Sequence, residues 1–164
     1  MAIYPYVTEA LTDFSKLEFQ NKYQEGLKKV ESEFGKEYPL IIGGKRIYTG
    51  QILTSYNPAD HKQLIGKIHQ ASLKEADMAM QVALDTFKTW SKVDSAYRAD
   101  VLFKAAAICR RRRFEIAALM TKEAGKPWVE ADADVAEAID FLEYYGRQML
   151  ELERIDDKVK SRAA

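Results

Sequence analysis

Glu137 is the side chain with the clearest potential chemical use. Its helical neighbours three and four residues away are Ala133, Asp134, Asp140 and Phe141, so no basic residue on its own helix can pair with it. Two readings stay open: a solvent-facing carboxylate, or a carboxylate lining a pocket for a cationic ligand. Cys109 is the single cysteine, and a thiolate beside Arg110 to Arg113 would be an activated nucleophile. It also continues the apolar line of Leu102 and Ala105, with no histidine nearby, so it reads as a core residue. The arginine run reads as solvated cations near a helix C-terminus, where they favour the dipole, rather than as a phosphate site.

His61 and His69 lack a paired metal-ligand spacing and read as exposed structural residues in a turn and at a strand end. Asp132-x-Asp134 imitates the start of a calcium loop but lacks the glycine and the distal glutamate, so it reads as the acidic first turns of a helix. Neither glycine pattern that cradles phosphates occurs. The residues themselves therefore support no catalytic, metal or cofactor-binding assignment, and one candidate ligand contact, Glu137.

Bulk properties narrow the class. With 47% hydrophobic and 30% charged residues over 164 positions, the chain can bury a core. Acids and bases number 25 each, which leaves no net field to attract nucleic acid. One cysteine excludes an internal disulfide and fits a reducing cytosol. No window approaches the roughly 20 apolar residues of a membrane span, and no secretory signal opens the chain. The expectation is a cytoplasmic protein with no nucleic-acid or membrane partner.

The elements that would carry these residues follow from periodicity and punctuation. Ser15 with Glu18 reads as a capping box opening a helix through Phe19, Tyr23, Leu27, Val30 and Phe34, which Gly35 can end. Tyr38 to Tyr56 changes period and reads, through Leu40-Ile41-Ile42, Arg46-Ile47-Tyr48 and Ile52 to Tyr56, as one small antiparallel hairpin unit turning at Gly43-Gly44, with a further strand at Leu64 to Ile68. Ser72 with Glu75 is a second capping box, opening a helix expected to bury Ala76, Met80, Ala83, Leu84, Phe87 and Trp90. Asp94 or Ser95 caps the next helix, which carries Val101, Leu102, Ala105, Ile108 and Cys109.

A helix from Phe114 to Ala124 stops at Gly125-Lys126-Pro127, and the next runs from about Trp128 to about Leu150. Along it Val135, Ala138, Ile139, Leu142, Tyr145 and Met149 share an expected buried face. Helix, short strands, then four helices form a layer that would sit against a larger sheet not present here.

These residues resemble the aldehyde dehydrogenase superfamily. The likeness runs in order through FGKEYPLIIGGKRI, NPAD, Phe87-Lys88-Thr89-Trp90, RADVLFKAAAICRRRRFEIAALMTKEAGKPW and EADADVAEAIDFLEYYGRQML, nearly all of residues 34 to 150. The last of these favours the branch of the family acting on L-glutamate γ-semialdehyde. The resemblance implies an α/β family fold of which this chain is the mostly helical N-terminal layer with short antiparallel hairpins, the Rossmann-type sheet being absent. Residues 1–150 would belong to the cofactor-binding domain, and 151–164 to a tail leading toward the remainder.

It further implies NAD-dependent oxidation of the semialdehyde in proline or arginine catabolism, by a cysteine nucleophile, a glutamate base and a hydride acceptor, in a homo-oligomer. The family's motifs for these lie downstream of Ala164, so the expectation is a fragment inactive alone that binds no NAD by itself. Cys109 does not match the family's nucleophile. Glu137 matches the family's helix glutamate near the substrate amino group. The competing expectations are a fragment of another aldehyde dehydrogenase subgroup, and a non-catalytic helical binding or assembly module.

Overall fold

The computed structural model describes residues 5–163, with side chains described for 5–155. Its elements are α1 (Leu17–Glu31), β1 (Lys36–Tyr38), β2 (Leu40–Ile42), β3 (Lys45–Ile47), β4 (Ile52–Asn57), β5 (Asp60–His69), α2 (Leu73–Trp90), α3 (Ser95–Arg111), α4 (Arg113–Ala124) and α5 (Trp128–Ala163). The chain is mostly helical with two small sheets, and no Rossmann sheet lies among the described residues.

The core gathers α1, α3, α4 and the first half of α5 around Tyr23, which is completely buried. Its ring stacks on Trp128 with centroids 4.5 Å apart, Phe14 meets it edge-on, and its hydroxyl bonds Thr121 Oγ1 at 2.7 Å. Alanines 106, 117, 118 and 131 fill the rest with Val135 and Ile139, small side chains that let helix backbones approach. The closest approach is at Gly26, where a Cβ would lie 2.6 Å from the Phe114 carbonyl oxygen. Gly146 plays the same part on α5, since a Cβ there would lie 2.6 Å from the Phe103 ring.

Several sequence expectations are corrected. Ser15 does not cap α1: its hydroxyl donates to Asp13 Oδ1 at 2.6 Å, Glu18 pairs with Lys22, and Lys16 stands at the N-cap without a side-chain capping bond. The strands form two sheets rather than one hairpin unit. β2 and β3 pair around Gly43 and Gly44, both at positive φ, while β4 pairs antiparallel with β5. On the other edge of β5 lies β1 in parallel register, so the strands are not all antiparallel. β1 is three exposed residues, Lys36-Glu37-Tyr38, and offers no apolar alternation to read.

The Ser72–Glu75 box is present as expected, with Ser72 N donating to Glu75 Oε2 at 2.9 Å and Lys74 N to Ser72 Oγ at 3.2 Å. The helix it opens, however, buries none of its residues: Met80, Leu84, Phe87 and Trp90 all lie exposed. On α3 the buried positions are Ser95, Ala99 and Ala106, whereas Val101 and Ile108 face outward. On α5 the stripe is rotated toward Ala131, Val135, Ala136 and Ile139, leaving Ala138 and Tyr145 exposed, and the helix continues past Leu150 to Ala163. Hydrophobicity alone marks an apolar face, while burial follows the neighbour actually present.

Candidate functional site: the carboxylate face of the long helix

The turn that sets this face is built as the sequence requires. Gly125 takes a left-handed conformation at φ 71° and its amide bonds Thr121 O, closing α4. Pro127 then accepts the first bond of α5 from Ala131 N at 2.9 Å. Lys126, between them, forms an ion pair with Asp134. That hydrogen bond holds the Lys126 ammonium above its ordinary range against partial desolvation, and Glu130 and Glu137 add attraction.

Glu137 is exposed, on α5 beyond Asp134. The structure thus gives it a cationic neighbour after all, Lys126, from the preceding turn rather than from its own helix. Asp134 already holds that lysine, so with Glu130 and Glu137 nearby this face carries more acids than bases.

Three other acids of α5, Asp132, Asp140 and Glu143, are structural. Asp132 is buried and receives Arg113 in a two-pronged pair, Nε to Oδ1 at 2.6 Å and Nη2 to Oδ2 at 2.7 Å. Thr12 adds its amide at 2.9 Å and its hydroxyl at 2.8 Å. Burial works to raise the Asp132 carboxyl, but the Arg113 and Thr12 bonds outweigh it and hold it below its ordinary value. Asp140 accepts from Glu9 N at 2.7 Å, and Arg110 bridges Glu9 at 2.8 Å and Glu143 at 2.6 Å.

Arg110 and Arg113 are therefore not solvated helix-end cations; they pin residues 9–12 onto α5. Arg111 and Arg112 lie exposed at the end of α3 as expected, Arg112 paired at the surface with Glu115. The signal available in the sequence was the excess of acids on α5 opposite an arginine run, but nothing there announced the role of Glu9 and Thr12.

His69 is also corrected. It is buried, with Nε2 2.6 Å from Glu37 Oε1 and Nδ1 2.8 Å from the Thr49 amide. Thr49, His69 and Glu37 imitate a hydroxyl–imidazole–carboxylate relay. The Thr49 hydroxyl instead donates to Gln70 O at 2.9 Å and stands 3.4 Å from Nδ1, so the imidazole does not activate it. The group latches the β3–β4 loop to the sheet. His61 is exposed, on β5 rather than in a turn.

Cys109 is half-buried and packs on the core cluster. Among the described residues no cluster of His, Cys, Asp or Glu could hold a metal, and no helix is long and apolar enough to cross a membrane. Among the described residues the β5–α2 junction is the one strand-to-helix turn that invites a nucleotide reading. It has no glycine, and the Glu75 carboxylate already occupies the helix start, where it would repel a pyrophosphate. The residues present do not fit NAD there.

Residues 48–163 match the aldehyde dehydrogenase family, and the chain belongs to it. Among its relatives, it is 56% identical over 150 residues to a 1-pyrroline-5-carboxylate dehydrogenase of Geobacillus sp., covering 92% of this chain and 29% of that protein. Of solved structures, it is similar to 1-pyrroline-5-carboxylate dehydrogenase from Thermus with bound NAD, at 42% identity and a TM-score of 0.87 over 90% of this chain and 28% of that one. It is similar too to proline utilization A from Bdellovibrio bacteriovorus, at 37% identity and a TM-score of 0.88 over 90% of this chain and 15% of that one. The chain thus spans about 29% of the length of the curated relative it matches.

Proposed function

We propose that this chain supplies the N-terminal helical layer of an NAD-dependent 1-pyrroline-5-carboxylate dehydrogenase, which oxidises L-glutamate γ-semialdehyde in proline or arginine catabolism. The observation that carries the reading is the 56% identity to a relative of that name. Aldehyde oxidation transfers a hydride to the nicotinamide, chemistry that NAD supplies when bound, and no residue of this chain is assigned to it. Glu137 lines the substrate pocket, where its charge attracts the α-ammonium and separates an amino-acid semialdehyde from a plain aliphatic aldehyde. The buried Arg113–Asp132 pair fixes α5, and with it the direction in which Glu137 points.

On this reading the apolar face of α2 is covered by the remainder of the enzyme, which in the relatives is the larger part of the chain. The full enzyme is cytoplasmic and homo-oligomeric. The 164-residue chain alone is inactive, and NADH formation by it from the semialdehyde would overturn that. Glu137→Ala in the full-length enzyme containing this segment should raise KM for the semialdehyde far more than for propanal. An equal effect on both substrates would remove the assignment.

A further inference from the structure

A concavity lies away from the carboxylate face, with its lining supplied by this chain. A cavity of about 360 Å³ opens between the end of α1, the strands β1, β4 and β5, and one side of α4. Its walls are the rings of Phe34 and Tyr38 and the aliphatic side chains of Ile65, Ile68, Ile116 and Leu119. Gly66 keeps it open on the sheet side. A Cβ there would lie 3.1 Å from Tyr38 Cε2, so the missing side chain lets the ring lie back against β5.

The charges at the rim are not equivalent. Glu33 bonds Lys29 at 2.9 Å and stands 3.3 Å from Lys36, and these partners hold its carboxyl below the ordinary range. Glu115 is held by Arg112, with bonds at 3.0 and 2.6 Å. Glu123 differs: its one side-chain contact among the described residues is a long one, from Ser55 Oγ at 3.4 Å. The cavity therefore offers an apolar, partly aromatic interior and one carboxylate still available at its mouth.

We propose that this cavity is a binding site for a small organic cation, a primary ammonium carried on an apolar or aromatic body. The body would displace water from between Phe34, Tyr38 and Leu119, and the ammonium would pair with Glu123. The volume lies at the lower end of small-molecule pockets, which sets the size of the ligand at a single ring with a short side chain. An anion of the same shape meets the unpaired charge of Glu123 at the mouth and is disfavoured.

The test is a methyl NMR titration of the 164-residue chain with phenethylamine at near-neutral pH, and with 3-phenylpropanoate as its anionic counterpart. Phenethylammonium should give saturable shifts at Ile68, Ile116 and Leu119. Glu123→Gln, a change at an exposed position, should weaken binding by about tenfold, and Leu119→Trp should abolish it by filling the space. Absence of saturation, equal binding of the anion, or unchanged affinity in Glu123→Gln would each overturn the proposal.

Discussion

The helices around Tyr23 and the arm formed by α2 with the β2–β3 hairpin have equally clear amphipathic sequences and opposite fates. In the first, Tyr23, Ala117, Ala118, Ala131 and Ile139 are fully buried, and α1, α4 and α5 lock together through small residues and a buried ion pair. In the second, α2 buries no residue and touches the rest chiefly through the hairpin, where Val82 lies over Gly43. Capping is not the difference, since α2 has the complete capping box and α1 has none. A cap fixes where a helix begins. Whether its apolar face is buried depends on a partner, and among the described residues α2 meets little beyond the hairpin.

The largest effect should come from the polar clamp on the packed side. Arg113→Ala leaves Asp132 buried without its cation, which should lower unfolding free energy by about 3–5 kcal/mol in urea denaturation. The same pair sets an acid limit. Asp132 is held below its ordinary value of 3.8, so its stabilisation is complete above that value and is lost as pH falls from there through the lower folded one. Arg113→Ala, with the pair already broken, should show a shallower loss of stability with acid over that window.

Next in size, Gly26→Ala drives a Cβ against the Phe114 carbonyl, which cannot swing aside as a side chain would. The expected loss is about 1–3 kcal/mol. The smallest effect belongs to the arm. Phe87→Ser on exposed α2 should change stability by no more than about 0.5 kcal/mol while reducing apolar-dye binding. A loss as large as that of Gly26→Ala would erase the distinction between the two regions.

What could be read from the sequence follows the same division. The Gly125-Lys126-Pro127 junction, the Ser72 box, the Asp94 cap and the Gly43-Gly44 turn were legible because each rests on local backbone chemistry. β1 was not, because three charged or exposed residues acquire strand geometry only from the edge of β5. The clamp of Glu9 and Thr12 on α5 was hidden for a related reason: it joins residues more than a hundred positions apart. Of the candidate site, the helix that carries Glu137 is legible from periodicity, whereas its electrostatic neighbour Lys126 comes from the preceding turn, beyond the reach of i±3 and i±4 spacing.

Hydrogen exchange, measured residue by residue on this chain alone and on a full-length dehydrogenase containing it, tests the proposed place of the layer most directly. The amides of α4 and of the first half of α5 should be protected in both, while those of α2 should exchange readily in the chain alone and become strongly protected in the full enzyme. Equal α2 protection in the two would contradict the claim that this layer is completed by the rest of an aldehyde dehydrogenase.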